Sequence, residues 1–152
     1  MKDHVPELYL ENQLCFPLYA ASRLTTKLYA PYLEELGLTY PQYLVMLTLW
    51  EEDTQSVKAI GRRLYLESNT LTPLLKRLQQ KGLIDRTRST EDERTVIISL
   101  TTAGAELRVR ARQVPGDIVT SFQDETVNEG ELQRFQRTLF HLLEVLSKRA
   151  WE

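Results

Sequence analysis

The sequence predicts a mainly α-helical fold with one small β-ribbon, and three observations carry that reading. Apolar residues recur at steps of three and four through most of the 152 residues, with Gly37 and Gly82 as stops. The stretch Val57 to Leu100 departs from this and reads helix, turn, helix, then two alternating strands around a charged tip. That order is the outline of a winged helix-turn-helix, here set between N- and C-terminal helices. The same stretch holds nine Lys and Arg against five Asp and Glu, a balance of +4, while the whole chain carries −2. A mildly acidic protein that gathers its positive charge on one module generally presents it to a polyanion.

Composition narrows the class. The apolar fraction of 42% supports a packed core. MKDHVPELYLENQLCF is interrupted by charges and by Pro6, so no signal peptide is expected, and no apolar run reaches membrane-span length. A cytoplasmic protein with no membrane partner follows. Cys15 is the sole cysteine and the histidines, His4 and His141, lie far apart, which argues against an intramolecular disulfide, a metal site or a metal cofactor.

The elements follow in order. Leu14, Leu18, Leu28, Tyr29, Tyr32, Leu33 and Leu36 form the stripe of a long helix, expected to break near Pro31 and to end at Gly37. Pro17 is comfortable only in a first turn, so the regular helix starts near Cys15, where amides and macrodipole favour a thiolate. Thr39 caps the next helix, with Pro41 in its first turn and Gln42 completing a capping box. That helix runs to about Trp50 and is apolar nearly all round, as a central buried helix would be. Glu51 to Gln55 reads as a loop. Ser56 caps the first helix of the central motif, and Leu66 to Ser68 makes its turn.

The start of the second, recognition helix is open, because Ser68, Asn69 and Thr72 could each cap it and Pro73 would suit a first position after Thr72. Its buried stripe is Leu71, Leu74, Leu75 and Leu78. Ser68, Asn69, Thr70, Thr72, Lys76 and Arg77 are thereby left as candidates for base edges and phosphates. Arg86 and Arg88 stand on the first strand of a two-stranded ribbon. At its tip Arg94 suits a minor groove, with Asp92 positioned to hold the guanidinium or merely to staple the hairpin. Thr101 or Thr102 opens a helix through Ala111, Pro115-Gly116 bends the chain, and a last amphipathic helix carries Leu132, Phe135, Leu139, Leu142, Leu143 and Leu146. Residues 1–38 and 105–152 are read as dimerisation segments around a DNA-binding module at 39–104. A homodimer would set two recognition helices on successive turns of a near-palindromic duplex.

Four segments, NQLCFPLYAASR, LGLTYPQYLVMLTLWE, LTPLLKRL and RSTEDERTVIISLTTAG, resemble the multiple antibiotic resistance regulator (MarR) family, and within it the one-cysteine organic hydroperoxide resistance regulators. The resemblance covers roughly residues 10–146. Pro17 departs from its pattern between Phe16 and Leu18. It implies a dimeric transcriptional repressor, not an enzyme, with Cys15 as redox sensor. It also implies that Tyr29 and Tyr40 of the other subunit hydrogen-bond the thiolate, with Tyr19 lining the pocket. The reactants would be an organic hydroperoxide and a low-molecular-weight thiol. Two competing readings are a regulator released by a phenolic or other small ligand, with Cys15 incidental, and a thiol peroxidase. The peroxidase lacks both a resolving cysteine and an alternating strand-helix pattern.

Overall fold

A computed structural model describes residues 5–123 and 127–150, so His4 lies outside the described residues. The chain divides into two compact units after Tyr40. In the first, two short 3₁₀ turns, Pro6–Leu8 and Leu10–Asn12, precede helix α1, Phe16–Leu36. Cys15 is its N-cap residue and Pro17 lies in the first turn, where the missing amide had no partner to lose.

The break expected at Pro31 is absent: α1 runs through it. A mid-helix proline forfeits one hydrogen bond and crowds a carbonyl, at a cost of roughly 3 kcal/mol. Leu33 and Leu36, both buried beyond the proline, keep the last turn in helical register. Gly37 ends the helix with φ +68°, and the Leu38 amide donates back to the Leu33 carbonyl at 3.0 Å. This is a Schellman closure, sealed by the buried Leu38.

The second unit is built on α2, Tyr40–Glu51, whose Tyr43, Val45, Met46, Leu49 and Trp50 are buried, as its all-round apolarity predicts. The edge of Trp50 meets the Tyr43 ring at 6.2 Å. After it come β1 (Gln55–Ser56), α3 (Val57–Leu64), α4 (Ser68–Gln80), β2 (Ile84–Arg88) and β3 (Val96–Leu100). The ribbon is a three-stranded antiparallel sheet in the order β1-β3-β2, not the two strands expected. Two residues are too few to show an alternating pattern. Contacts distant in sequence make the strand: Asp53 Oδ1 accepts the Leu100 amide at 2.8 Å, and the buried Gln55 side chain donates to the Thr48 carbonyl at 2.8 Å.

The N-cap of α4 is Glu67, and Pro73 lies inside the helix. None of Ser68, Asn69 and Thr72 is the cap residue. The fully buried Leu71, Leu75 and Leu78 repeat at four and three, so burying Leu71 draws the helix back past the proline. Leu74 is only half-buried.

Thr101 caps α5, Thr102–Ala111, accepting the Gly104 amide at 3.0 Å. Pro115-Gly116 is not a bend; it lies in the first turn of a further helix, α6, Val114–Phe122, and the turn falls at Arg112-Gln113. Proline at a helix start reads in sequence much like proline at a helix stop. The last helix, α7 (Glu129–Ala150), begins with a reciprocal Asn128–Glu131 capping box and buries none of its residues. Among the described residues no helix is long and apolar enough to cross a membrane.

Gly104 joins the parts. Its carbonyl accepts the Trp50 indole N–H at 2.8 Å, and a Cβ built on it would lie 2.0 Å from the Leu83 carbonyl oxygen. Gly104→Ala is therefore expected to destabilise the protein by about 3 kcal/mol, at the upper end for overpacking. Urea unfolding followed by Trp50 fluorescence checks this, and an unchanged midpoint would contradict the crossing described.

Candidate nucleic-acid interface and thiol site

Helix α4 presents Ser68, Asn69, Thr70, Lys76 and Arg77 to solvent, opposite its leucine stripe. Thr72 is half-buried and its hydroxyl donates to the Ser68 carbonyl at 2.7 Å, which draws it back toward its own helix. Gly61 sets the approach of α3 to α4. A Cβ there would meet the Leu66 carbonyl oxygen at 2.7 Å, and the chain turns through Tyr65 at φ +54°. The tight turn fixes which face of α4 is outward.

On the ribbon Arg88 is exposed, whereas Arg86 shares the inner face with Ile84 and pairs in register with the fully buried Ile98. Arg86 is half-buried, and its Nε is buried with no hydrogen-bond partner among the described residues. The tip is knotted on Asp92 and Ser89. Asp92 Oδ1 accepts the Arg94 amide at 3.0 Å and its Oδ2 accepts the Thr95 hydroxyl at 3.3 Å. Ser89 Oγ accepts the amides of Glu91 and Asp92, and the Ser89 amide donates to the Thr95 carbonyl at 2.8 Å. The Asp92 carboxylate thus holds the backbone of Arg94, not its guanidinium, because the turn closes with the acid two residues from the amide it accepts, as in an Asx turn. The exposed Arg94 has no ion-pair partner among the described residues.

Ser89 and Thr95 belong to this knot and were not singled out from sequence; the signal was the Ser and Asp spacing of an Asx-type turn. Two of the nine cations in the motif have structural work. Arg63 pairs with Glu51, and the Lys81 ammonium donates to the buried Gln42 Oε1 at 2.9 Å. Sequence spacing of 12 and 39 residues gave no warning of either.

The sensing candidates fall into two groups, one at the head of α1 and one where Tyr29 of α1 meets Tyr40 of α2. Cys15 is exposed at its head. Tyr19, one turn on, is exposed and accepts a hydrogen bond from Arg23 at 2.9 Å, with the guanidinium carbon 5.6 Å from its ring centroid. Tyr29 and Tyr40 meet with ring centroids 4.7 Å apart, tilted by 49°. Burial pushes the Tyr40 phenol above its ordinary value, so it is a neutral hydrogen-bond donor at physiological pH. Cys15 and Tyr29 lie at the two ends of fourteen helical residues, about 21 Å at 1.5 Å per residue. No rotamer closes that distance. The chain brings Tyr29 to Tyr40, and leaves Cys15 apart from both.

Residues 27–109 match the family model described as transcriptional regulator SarA/Rot. The chain is similar to the organic hydroperoxide resistance transcriptional regulator of Bacillus subtilis strain 168, 49% identical over 149 residues, covering 98% of this chain and 99% of the relative. Among solved structures it is similar to reduced AbfR bound to DNA, at 40% identity with all of both chains covered and a TM-score of 0.74. Overoxidised AbfR bound to DNA is 44% identical, covers 90% of this chain and 97% of that one, and has a TM-score of 0.68. AbfR is a Staphylococcus epidermidis protein.

Asp92→Ala is expected to free the wing tip without unfolding the protein. Affinity for duplex DNA should fall roughly tenfold, as the loss of the two Asp92 side-chain hydrogen bonds allows, with the melting temperature nearly unchanged. Equal affinity of the variant and the wild type would remove the tip from the interface.

Proposed function

The chain belongs to the MarR-like transcriptional regulators, in the group of the organic hydroperoxide resistance regulators, and from that premise we propose that it is a DNA-binding repressor whose operator is released when an organic hydroperoxide oxidises Cys15. The observation that carries the reading is the divided site: an exposed thiol at the head of α1, and about 21 Å down that helix the half-buried Tyr29, its ring against the half-buried Tyr40 that opens α2. A second copy with its α1 antiparallel closes the gap, laying Cys15 of each subunit against Tyr29 and Tyr40 of the other. Residues 1–38 and 105–152 then dimerise and 39–104 bind DNA. The unburied apolar side chains of α7, Phe135, Leu142, Leu143 and Leu146 among them, are the kind of surface a dimer covers.

The thiolate attacks the peroxide O–O bond. An S–O bond forms, the O–O bond breaks, and the departing alkoxide takes a proton, leaving Cys15 sulfenic acid and an alcohol. A low-molecular-weight thiol then condenses with the sulfenic acid, releasing water and forming a mixed disulfide. An overoxidised relative is known on DNA, so bulk rather than charge is the more economical trigger here. A mixed disulfide cannot fit where a thiolate accepted two phenolic hydrogen bonds. Tyr40 opens α2, so displacing it shifts the helix on which the DNA-binding unit is built. The reaction runs once per regulatory cycle, as a sensor's does, and in the cytoplasm, where both DNA and small thiols are available.

On DNA, Ser68, Asn69, Thr70 and Thr72 at the start of α4 face base edges in the major groove, and Lys76 and Arg77 meet phosphates. Arg94 enters the minor groove from the wing fixed by Asp92, with Arg88 and Arg86 on the approaching strand. The partly buried Arg86 contributes least.

The test is fluorescence anisotropy on the protein's own upstream duplex, for wild type and Cys15→Ser, reduced and then treated with cumene hydroperoxide plus a small thiol. Wild type is expected to lose at least tenfold in affinity while the serine variant holds. If neither responds, the hydroperoxide reading fails and release by a phenolic ligand takes its place.

A further inference from the structure

The segment before Cys15 is built as an outward-facing docking element. Its two 3₁₀ turns are braced internally: the Asn12 amide donates to the Pro6 carbonyl at 2.7 Å, and the Gln13 amide donates to the carbonyls of Glu7 and Tyr9 at 2.8 and 2.9 Å. The polar side chains are spent on the segment's own backbone, and the apolar ones point away. Leu8, Leu10 and Leu14 are 79%, 56% and 92% exposed. Glu7 and Glu11 flank them and form no ion pair among the described residues. Three exposed leucines on a preorganised support are a costly surface to leave wet.

The second unit holds a groove of complementary character. Tyr43, Leu47, Trp50, Val109 and Pro115 line an open cleft of about 950 Å³ between α2 and the α5–α6 bend. Leu47 and Val109 are exposed within it. Its rim carries Arg108 and Arg112, one helical turn apart, and neither has an ion pair among the described residues. The one acid of the lining, Glu51, is neutralised by Arg63. An acidic, leucine-bearing segment and a basic, aromatic-floored groove match in charge and polarity.

We propose that residues 6–14 of one copy lie in the α2/α5 groove of its partner. The inference rests on the dimer reading above, in which Cys15 reaches the partner's Tyr29 and Tyr40. Tyr40, Tyr43, Leu47 and Trp50 are spaced by three, four and three and so follow one face of α2. A chain that reaches Tyr40 at Cys15 is aligned to continue along that face. Leucines meet the aromatic floor, and Glu7 and Glu11 meet Arg108 and Arg112. The segment thereby anchors each thiol to the partner's DNA-binding unit, so that a change at Cys15 is felt on both sides of Tyr40.

The test uses the full-length reduced protein with p-benzoylphenylalanine at Leu10. Mixed isotope-labelled and unlabelled dimers, irradiated and mapped by mass spectrometry, are expected to give interchain adducts on peptides holding Trp50 or Val109. Adducts within one chain, at another surface of the partner or with a foreign protein overturn the proposal, as does their absence. In parallel, sedimentation of Arg108→Glu with Arg112→Glu, and of Glu7→Arg with Glu11→Arg, is expected to show at least tenfold weaker dimers. The combined fourfold variant should return to within about threefold of wild type, and a failure to recover counts against the pairing. Hydroperoxide response of the wild type, measured alongside, separates the two claims. A responsive protein without the adduct sinks only the docking, and an unresponsive one with it sinks only the sensor.

Discussion

At Gly104 three parts of the second unit meet through one backbone position. Its carbonyl takes the indole hydrogen of Trp50 at the end of α2, and its amide is held by the Thr101 hydroxyl oxygen. Its bare Cα faces the Leu83 carbonyl at the entry to β2. Thr101 also donates its hydroxyl to the Gly82 carbonyl at 2.6 Å and its amide to the Leu83 carbonyl at 3.1 Å. The end of α4, the root of the wing and the start of α5 are therefore tied to the most buried helix of the unit. The wing and the end of α4 are held by this crossing, while the approach of α3 at Gly61 sets the outward face of α4.

A second constraint is the stiffness of α1. A continuous helix holds its two ends at a fixed separation, so the thiol and the tyrosine pair can never meet within one chain. Pro31 was the residue that could have relaxed this, and the buried Leu33 and Leu36 beyond it keep the helix whole. Under the proposed reading, half a site toward each end of such a rod makes the chemistry depend on a second copy.

The wing shows how little of an interface's geometry needs to be electrostatic. Asp92 and Ser89 spend their side-chain oxygens on amides of the tip and the Thr95 hydroxyl, which shapes the loop and leaves the Arg94 side chain at the surface with no ion pair among the described residues. The carboxylate and the Ser89 hydroxyl position the tip through its backbone, not through an ion pair with Arg94.

What the sequence by itself determined is what short-range physics can write: the helices with a regular stripe, the Ser56 and Thr101 caps, the Gly37 stop, the helix-turn-helix order and the exposed face of α4. The fate of the prolines was not legible, because the local sequence around Pro31, Pro73 and Pro115 does not say whether burial elsewhere offsets the cost of a proline inside a helix. Burial of Leu33, Leu36 and Leu71 decided the first two, and the turn at Arg112-Gln113 the third. Strand β1 was invisible because two residues have no period; it exists through bonds from Asp53 and Gln55 to partners far along the chain and in α2. The candidate site divides in the same way. The resemblance to the family, carried by four motifs of the sequence, nominated Cys15, Tyr19, Tyr29 and Tyr40. Only the tertiary structure decided which of them stand together, because a helix fixes the distance between its ends while a sequence records only their order.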